Sequence, residues 1–382
     1  MAHATETSVK WFWSGMQGAP SGTGYDILKK CLSTGFNSLT FDSLVIAGGI
    51  ATATRASGHG FLVDSIIAVS GVTSPAALNA DHRILSITTT TITFPASLPD
   101  QTATGTIVIK QAPAGWSVPF DNGSNKIVIR SPLTVSPQSF YRFDGSSGSN
   151  TGRPCQAYGG MSNIDTGTEQ WDDGTQRFYE WSLGSGWMLF ADKRTVYWVL
   201  AAANHGSGYD SPFFAWGDFI SFLDGDAFNE LFNCHLDIST SSTYSYSCTN
   251  SILQSDNGIR QARLRKNALG TAPCQFYALH TLNSYSGYGG PSFPSPVNNA
   301  IVFQDCLFRE SGNGDPLRGR ARGLLWCLQD QPLNWQFPPQ TVEGVAGMEG
   351  RKIMVCLWRA SVYNSASYPG RVGIDITGPW EA

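Results

Sequence analysis

One segment near the start of this chain repeats its apolar residues at helical spacing over two turns. The rest is a succession of β-branched and aromatic runs of about four to eight residues, each closed by glycine, proline, serine or asparagine. Such a chain must build its core from strands that pair across long sequence distances. The exception is Tyr25 to Leu32, where Ile27, Leu28, Cys31 and Leu32 fall on one helical face and Gly35 stands just beyond as a stop. A first strand is expected over Val9 to Trp13, followed by a Gly/Pro/Ser-rich loop from Gly15 to Gly24.

The texture changes twice along the chain. From Leu44 to Lys110 the segments are short, β-branched and almost free of aromatics, with strands expected over Leu44 to Ile46, Ile50 to Arg55, Ser65 to Val69, Arg83 to Thr88, Thr91 to Phe94 and Thr106 to Lys110. After Pro113 the aromatic-rich texture of the opening returns. At 382 residues the chain exceeds the usual size of a single core. The expected fold is therefore mostly β: a β-sandwich-like larger domain of residues 1–43 and 111–382, with one short N-terminal helix and an inserted small β-barrel or sandwich domain of residues 44–110.

Further strands of the larger domain are expected around Lys126 to Arg130, Gln138 to Phe143, Trp187 to Phe190, Val196 to Leu200, Leu231 to Leu236, Gln275 to Leu279, Ala300 to Phe308, Leu324 to Leu328, Lys352 to Trp358 and Val372 to Ile376. Ser146 to Thr151 and Ser284 to Asn299 read as surface loops, and one as long as the second suits contact with a neighbour. No repeat of fixed period is present.

Charged residues are only 14% of the chain and aromatics 12%, a balance that suits closed protein interfaces. A net charge of -4 argues against nucleic acid or an acidic membrane surface as partner. The longest apolar run, Val196 to Ala203, is far shorter than the roughly 20 residues a membrane helix needs, and the first residues lack the basic start and apolar stretch of a signal peptide. Eight cysteines are scattered without a C-x-x-C pair, as expected of reduced, buried thiols rather than a zinc ribbon or disulfide scaffold.

Motifs for the most recognisable enzymes are absent: no G-x-S-x-G elbow, no phosphate-binding P-loop and no H-E-x-x-H pair. His3, His59, His82, His205, His235 and His280 have no ligand spacing, so neither metal nor cofactor is expected. The densest acidic group is Asp218, Asp224, Asp226 and Glu230. It could bind calcium, though the EF-hand order of ligands fails, or supply a carboxylate pair, but Asp224-Gly225-Asp226 reads better as a turn with Asp226 capping a helix over Ala227 to Phe232. Two basic groups, Arg260, Arg263, Arg265 and Lys266, and then Arg318, Arg320 and Arg322, are either subunit contacts or local ion pairs. The last three alternate, as side chains on one strand face do. Trp171, Trp181, Trp187 and Trp198, with Tyr179 and Tyr197, could form a sugar platform. The near-continuous runs Trp187 to Phe190 and Val196 to Leu200, joined across Ala191 to Thr195, instead read as a buried hairpin.

At these segments the chain resembles a family of structural proteins of tailed phages of proteobacteria. The resemblance rests on an ordered set of motifs: Trp11-Phe12-Trp13-Ser14-Gly15-Met16 and Gly18-Ala19-Pro20; Val45 to Thr52; Ser57-Gly58-His59-Gly60-Phe61; Leu78 to Arg83; Ala103 to Ile107; Tyr158-Gly159-Gly160-Met161; Asp165-Thr166-Gly167-Thr168; Asp192 to Val199; Trp216-Gly217-Asp218; Gly225-Asp226-Ala227; and Asp375 to Trp380 near the end. After Thr168 the chain departs from the family pattern, with Glu169-Gln170-Trp171-Asp172 in place of a Gly-Pro-Phe-Pro-like stretch. The resemblance implies a non-enzymatic subunit assembled in the host cytoplasm into the virion, in the tail or baseplate, with the head-to-tail neck or capsid surface as other stations. Its partners would be further copies of itself and other virion proteins. It carries over no catalytic residue. Two rivals make distinct demands. A receptor- or glycan-binding module needs the central tryptophans exposed, and a carbohydrate-active hydrolase needs Asp218 and Asp226 facing one cleft.

Overall fold

The computed structural model describes residues 9–146, 153–172, 174, 177–178, 186–200, 203–205, 208–210, 213–233, 262–267, 271–277, 301–310, 316–327, 340–345, 347–359 and 369–380. The fold is mostly β, with a single short α-helix among these residues. That helix, Gly24–Lys29, begins where the Thr23 side chain accepts a hydrogen bond from Asp26 N, and it runs on into a π-turn at Lys30–Thr34. Gly35 ends it at φ 75°, where a Cβ would lie 2.4 Å from the carbonyl oxygen of Gln111, so only glycine fits the exit.

The largest sheet has thirteen strands among the described residues, all paired antiparallel. Its path runs Lys10–Trp13, Trp187–Ala191, Thr195–Leu200, Phe213–Asp218, Glu230–Asn233, Ala262–Arg265, Thr271–Tyr277, Phe303–Glu310, Leu317–Cys327, Pro369–Asp375, Lys352–Arg359 and Gln340–Glu343, with Ile220–Ser221 added against Leu317–Cys327. Twisted sheets rarely exceed about ten strands without curling. This one folds back on itself: Tyr197 Oη donates to the carbonyl oxygen of Arg322 at 2.9 Å, although their strands are not neighbours in the path. Strands covered on both faces lose the polar alternation, which is why Trp187–Ala191 and Thr195–Leu200 are apolar at nearly every position and buried throughout.

A six-stranded sheet built from Ser117–Asp121, Lys126–Arg130, Phe140–Asp144, Arg153–Asn163, Thr166–Gln170 and Arg177–Phe178 packs on the first half of the large sheet. Aromatic rings fill the space between them, with Phe143 at 5.1 Å from Trp216, Tyr141 at 5.6 Å from Phe232 and Phe178 at 6.3 Å from Trp198, centroid to centroid. Each fully buried ring of this kind contributes about 1.5–3 kcal/mol by leaving water. On the opposite face Tyr197 meets Trp380 at 5.3 Å.

Residues 36–111 form two sheets of their own around a separate core that includes Phe41, Leu44, Ile46, Ile92 and Phe94. One has four strands, Phe36–Thr40, Thr104–Gln111, Ile66–Ser74 and Asp81–Arg83; the other has five, Ser86–Ile87, Thr91–Pro95, Ile50–Thr54, Ser43–Ala47 and Gln101–Thr102. The module thus starts at Phe36, earlier than the texture change at residue 44, because Phe36–Thr40 pairs with Thr104–Gln111. It is tied to the larger domain by Lys10 to Asp81 at 2.8 Å, Lys352 to Asp64 at 3.0 Å, and Arg83, which donates to the carbonyl oxygen of Thr377 at 2.9 Å.

Two sequence expectations need correction. The segment expected as one strand, Arg83 to Thr88, is split between Asp81–Arg83 in one sheet and Ser86–Ile87 in the other, so the chain changes sheets at Ile84 and Leu85. No helix follows Asp226 either. Its Oδ1 accepts from Phe228 N at 3.0 Å, closing a side-chain turn that leads into the strand Glu230–Asn233. The loop at 284–299, and residues 147–151 of the other expected loop, lie outside the described residues.

Candidate functional site: buried ion pairs between the sheets

Asp218 ends the strand Phe213–Asp218 and Glu230 begins Glu230–Asn233, and the two stand opposite each other in register. The side chain of each is 2% exposed. Two buried carboxylates as cross-strand neighbours would repel each other unless each were neutralised. Asp218 Oδ2 accepts from Arg194 Nε and from Ser136 Oγ, both at 2.7 Å. Glu230 takes Ser139 Oγ at 2.6 Å and Arg265 Nη1 at 2.9 Å on one oxygen, and Tyr141 Oη at 3.1 Å with Ser139 N at 3.2 Å on the other. Ser139 Oγ also accepts from Trp171 Nε1 and Arg265 Nη1. The serines and Tyr141 belong to the six-stranded sheet and the segment leading into it, so the network pins the two sheets in one relative position.

Burial pushes the Asp218 carboxyl up to about 6, against the opposing pull of Arg194 and Ser136, and the negative charge of Glu230 adds to the rise. Burial, with Glu230 beside it, also raises the Tyr141 hydroxyl well above the usual phenol range.

A second buried pair lies beside the Asp192 turn. Arg322 and Asp192, 3% and 5% exposed, meet at 2.7 Å. Asp192 holds its own turn through Arg194 N and Thr195 N, both at 2.8 Å, and its carbonyl oxygen accepts from Trp116 Nε1 at 2.7 Å. A third group sits at the sheet's margin: Arg318 donates to Asp226 through Nε and Nη2 and to Glu310 through Nη1, and Lys266 also reaches Glu310. Arg320 pairs with Asp305 at 2.8 Å, half exposed.

The residues expected as subunit contacts are therefore distributed. Arg265 and Arg322 are buried inside the chain and are withdrawn as contacts; Arg318 is committed to two internal carboxylates, Arg320 to one, and Arg263 is half-buried on Ala262–Arg265. The alternation of Arg318, Arg320 and Arg322 does not make one open face, because the strand passes from the margin into the core between Arg320 and Arg322. Arg260 lies outside the described residues.

Asp218 and Asp226 belong to different ion-pair groups, and Asp224 is exposed in the turn between them. A glycosidase needs two carboxyls across a space that admits a sugar. Here the carboxylate opposite Asp218 is Glu230; Asp218 is capped by Ser136 and Arg194, and Glu230 by Ser139, Arg265 and Tyr141. Sequence reasoning ranked Glu230 as one acid of a cluster and did not see its partners, because Ser139 and Tyr141 lie about ninety residues away. Trp171, Trp187, Trp198 and Tyr197 are buried, so they offer no sugar platform; Trp181 and Tyr179 lie outside the described residues.

Cys31, Cys155, Cys306 and Cys356 are buried thiols that form no disulfide among the described residues, and burial raises Cys31, Cys306 and Cys356 well above the ordinary thiol range. Among the described residues no three His, Cys, Asp or Glu side chains converge as a metal site, and no helix is long and apolar enough to cross a membrane. The chain matches no protein-family model and no curated protein.

Proposed function

We propose that this chain is a non-enzymatic structural subunit of a tailed-phage virion, placed in the tail or baseplate and present in several copies. The observation that carries the reading is the use made of the charged side chains. Asp192, Asp218, Asp226, Glu230, Arg265 and Arg322, the groups best suited to chemistry, are buried and joined to one another or to backbone and hydroxyl groups within the chain. Such networks fix the relation between sheets rather than meet a substrate. The ordered motifs by which the chain resembles phage structural proteins suggest the particle. Burial of Trp171, Trp187 and Trp198 weighs against a glycan-binding module.

A nonsense codon early in the gene tests the role. In a suppressing host the phage should yield normal particles; in a non-suppressing host, electron microscopy should show tailless or incomplete particles. Infectious particles of normal shape from both hosts would defeat the structural reading.

A further inference from the structure

Among the described residues, four large apolar side chains of the larger domain stand exposed: Val135, Phe222, Leu223 and Leu317, at 72%, 54%, 59% and 45%. All four gather about the end of the strand Phe213–Asp218. Val135 belongs to the segment Ser131 to Gln138, whose Ser136 Oγ donates to Asp218 Oδ2 at 2.7 Å. Phe222 and Leu223 open the turn that follows Ile220–Ser221, and Phe222 N donates at 2.9 Å to the carbonyl oxygen of Arg318, the neighbour of Leu317. Asp224 is six residues on from Asp218, so the turn lies within about 20 Å of that strand end. Exposed apolar residues scattered singly need no explanation, but a gathered group marks a contact surface.

The same region holds two charges that the described residues leave unanswered. Arg130, just before the segment, lays its guanidinium on the Phe140 ring at 4.5 Å and has neither a hydrogen bond nor a carboxylate partner, and its Nε is buried. Every other arginine whose side chain is described has a polar partner. Burial lowers the Arg130 guanidinium from its ordinary value, and the charge of Glu230, the cross-strand neighbour of Asp218, offsets part of this, so Arg130 too lies near that strand end. Asp224, exposed beside Leu223, is the acidic side chain without a partner among the described residues. Its turn is pre-set: Ser221 Oγ accepts from Leu223 N at 3.1 Å and donates to Asp226 Oδ2 at 2.6 Å, and Arg318 holds Asp226 through Nε and Nη2.

We propose that this surface is self-complementary and pairs two copies of the chain about a two-fold axis, Asp224 of each meeting Arg130 of the other while Phe222, Leu223 and Val135 form the apolar centre. In a two-fold contact, a residue that meets a second residue is met by it in return, so one unpaired cation and one unpaired anion on the same surface answer each other twice. An anionic lipid layer, another taker of exposed apolar tips, is disfavoured by the charge of Asp224. The self-contact stands whether or not the assembly is a virion.

Sedimentation velocity of the full chain over a concentration series tests it. The expected result is a concentration-dependent dimer that Arg130→Asp and Asp224→Arg, each checked for an unchanged circular dichroism spectrum and melting temperature, weaken on the order of tenfold. Phe222→Ser should weaken it as well. If Arg130→Asp melts early for want of its contact with Phe140, Asp224→Arg and Phe222→Ser, both on the exposed turn, decide alone. In an equimolar mixture of the Arg130→Asp and Asp224→Arg chains, each homodimer opposes like charges, whereas the mixed dimer holds one native and one inverted pair. Association should then return, a gain that misfolding cannot imitate. A chain that stays monomeric at every concentration overturns the proposal. So does a dimer that the variants leave unchanged, a mixture of folded variants that does not recover, or growth beyond a dimer, since a two-fold contact closes on itself.

Discussion

Asp218→Asn is the most informative single perturbation, because it removes the charge at the sheet junction while keeping the shape. In the folded protein the Asp218 carboxyl titrates at about 6, against 3.8 when free of the fold, because burial outweighs Arg194 and Ser136. The folded value lies above the unfolded one, so the folded state holds the proton more tightly. The stability this group contributes is therefore complete below about pH 4 and is lost as the pH rises through 6. A difference of about two units corresponds to about 3 kcal/mol, of which about 2 falls between pH 4.5 and 7.5. Asp121 and Asp144 work in the opposite direction. Burial raises each of them, but hydrogen bonds from Lys29, Tyr25 and Gly123 N to Asp121, and from Ser146 to Asp144, together hold both below the usual carboxylate value. Those contributions are lost as the pH falls, and they cancel when wild type and variant are compared at each pH. Urea denaturation of both proteins at a series of pH values from 4.5 to 7.5 measures the difference. Relative to wild type, Asp218→Asn should gain about 2 kcal/mol across that range. A difference that is flat with pH, or that changes in the other direction, would refute the reasoning.

Three other outcomes follow from the same structure. Arg322→Ala leaves Asp192 as an unpaired buried carboxylate and should cost about 3–5 kcal/mol in denaturant unfolding; a loss below about 1 kcal/mol would show that the pair is solvated. His59 is stacked beside Phe41 and Phe61, with Nε2 2.9 Å from the carbonyl oxygen of Thr88 and Nδ1 accepting from Phe61 N. His59→Ala should therefore lower module stability by roughly 2–4 kcal/mol, seen as an earlier melting transition. Since Trp116, Trp171, Trp187, Trp198 and Trp216 are all buried, acrylamide should leave most of the tryptophan fluorescence unquenched, and near-complete quenching would revive the sugar platform.

The parts of the fold that were legible in the sequence are those in which local pattern and tertiary setting agree. The hairpin of Trp187–Ala191 and Thr195–Leu200 declares itself because a strand covered on both faces must be apolar throughout. The helix declares itself by its spacing and by Gly35. Arg153–Asn163 and Thr166–Gln170 are not among the expected strands, since Gly159, Gly160 and the polar residues around them give no strand pattern, and Phe213–Asp218 is not among them either, although its six residues are all buried. The departure from the family pattern at Glu169-Gln170-Trp171-Asp172 carries no local signal of its conformation. It forms the end of an edge strand, and it sends Trp171 into the core. The ion pairs could not be read at all. Arg322 and Asp192, or Arg265 and Glu230, are brought together by sheet curvature and by the stacking of one sheet on another, and nothing in their local sequence records either partner.

The proposal of a virion subunit is tested most directly by quantitative mass spectrometry of purified particles separated into heads and tails, with copy number measured against the major tail and capsid proteins. The expected result is a fixed, low copy number of this chain in the tail fraction. Its absence from both fractions, while the chain is abundant in the infected cell, would contradict the account and return attention to an activity outside the particle.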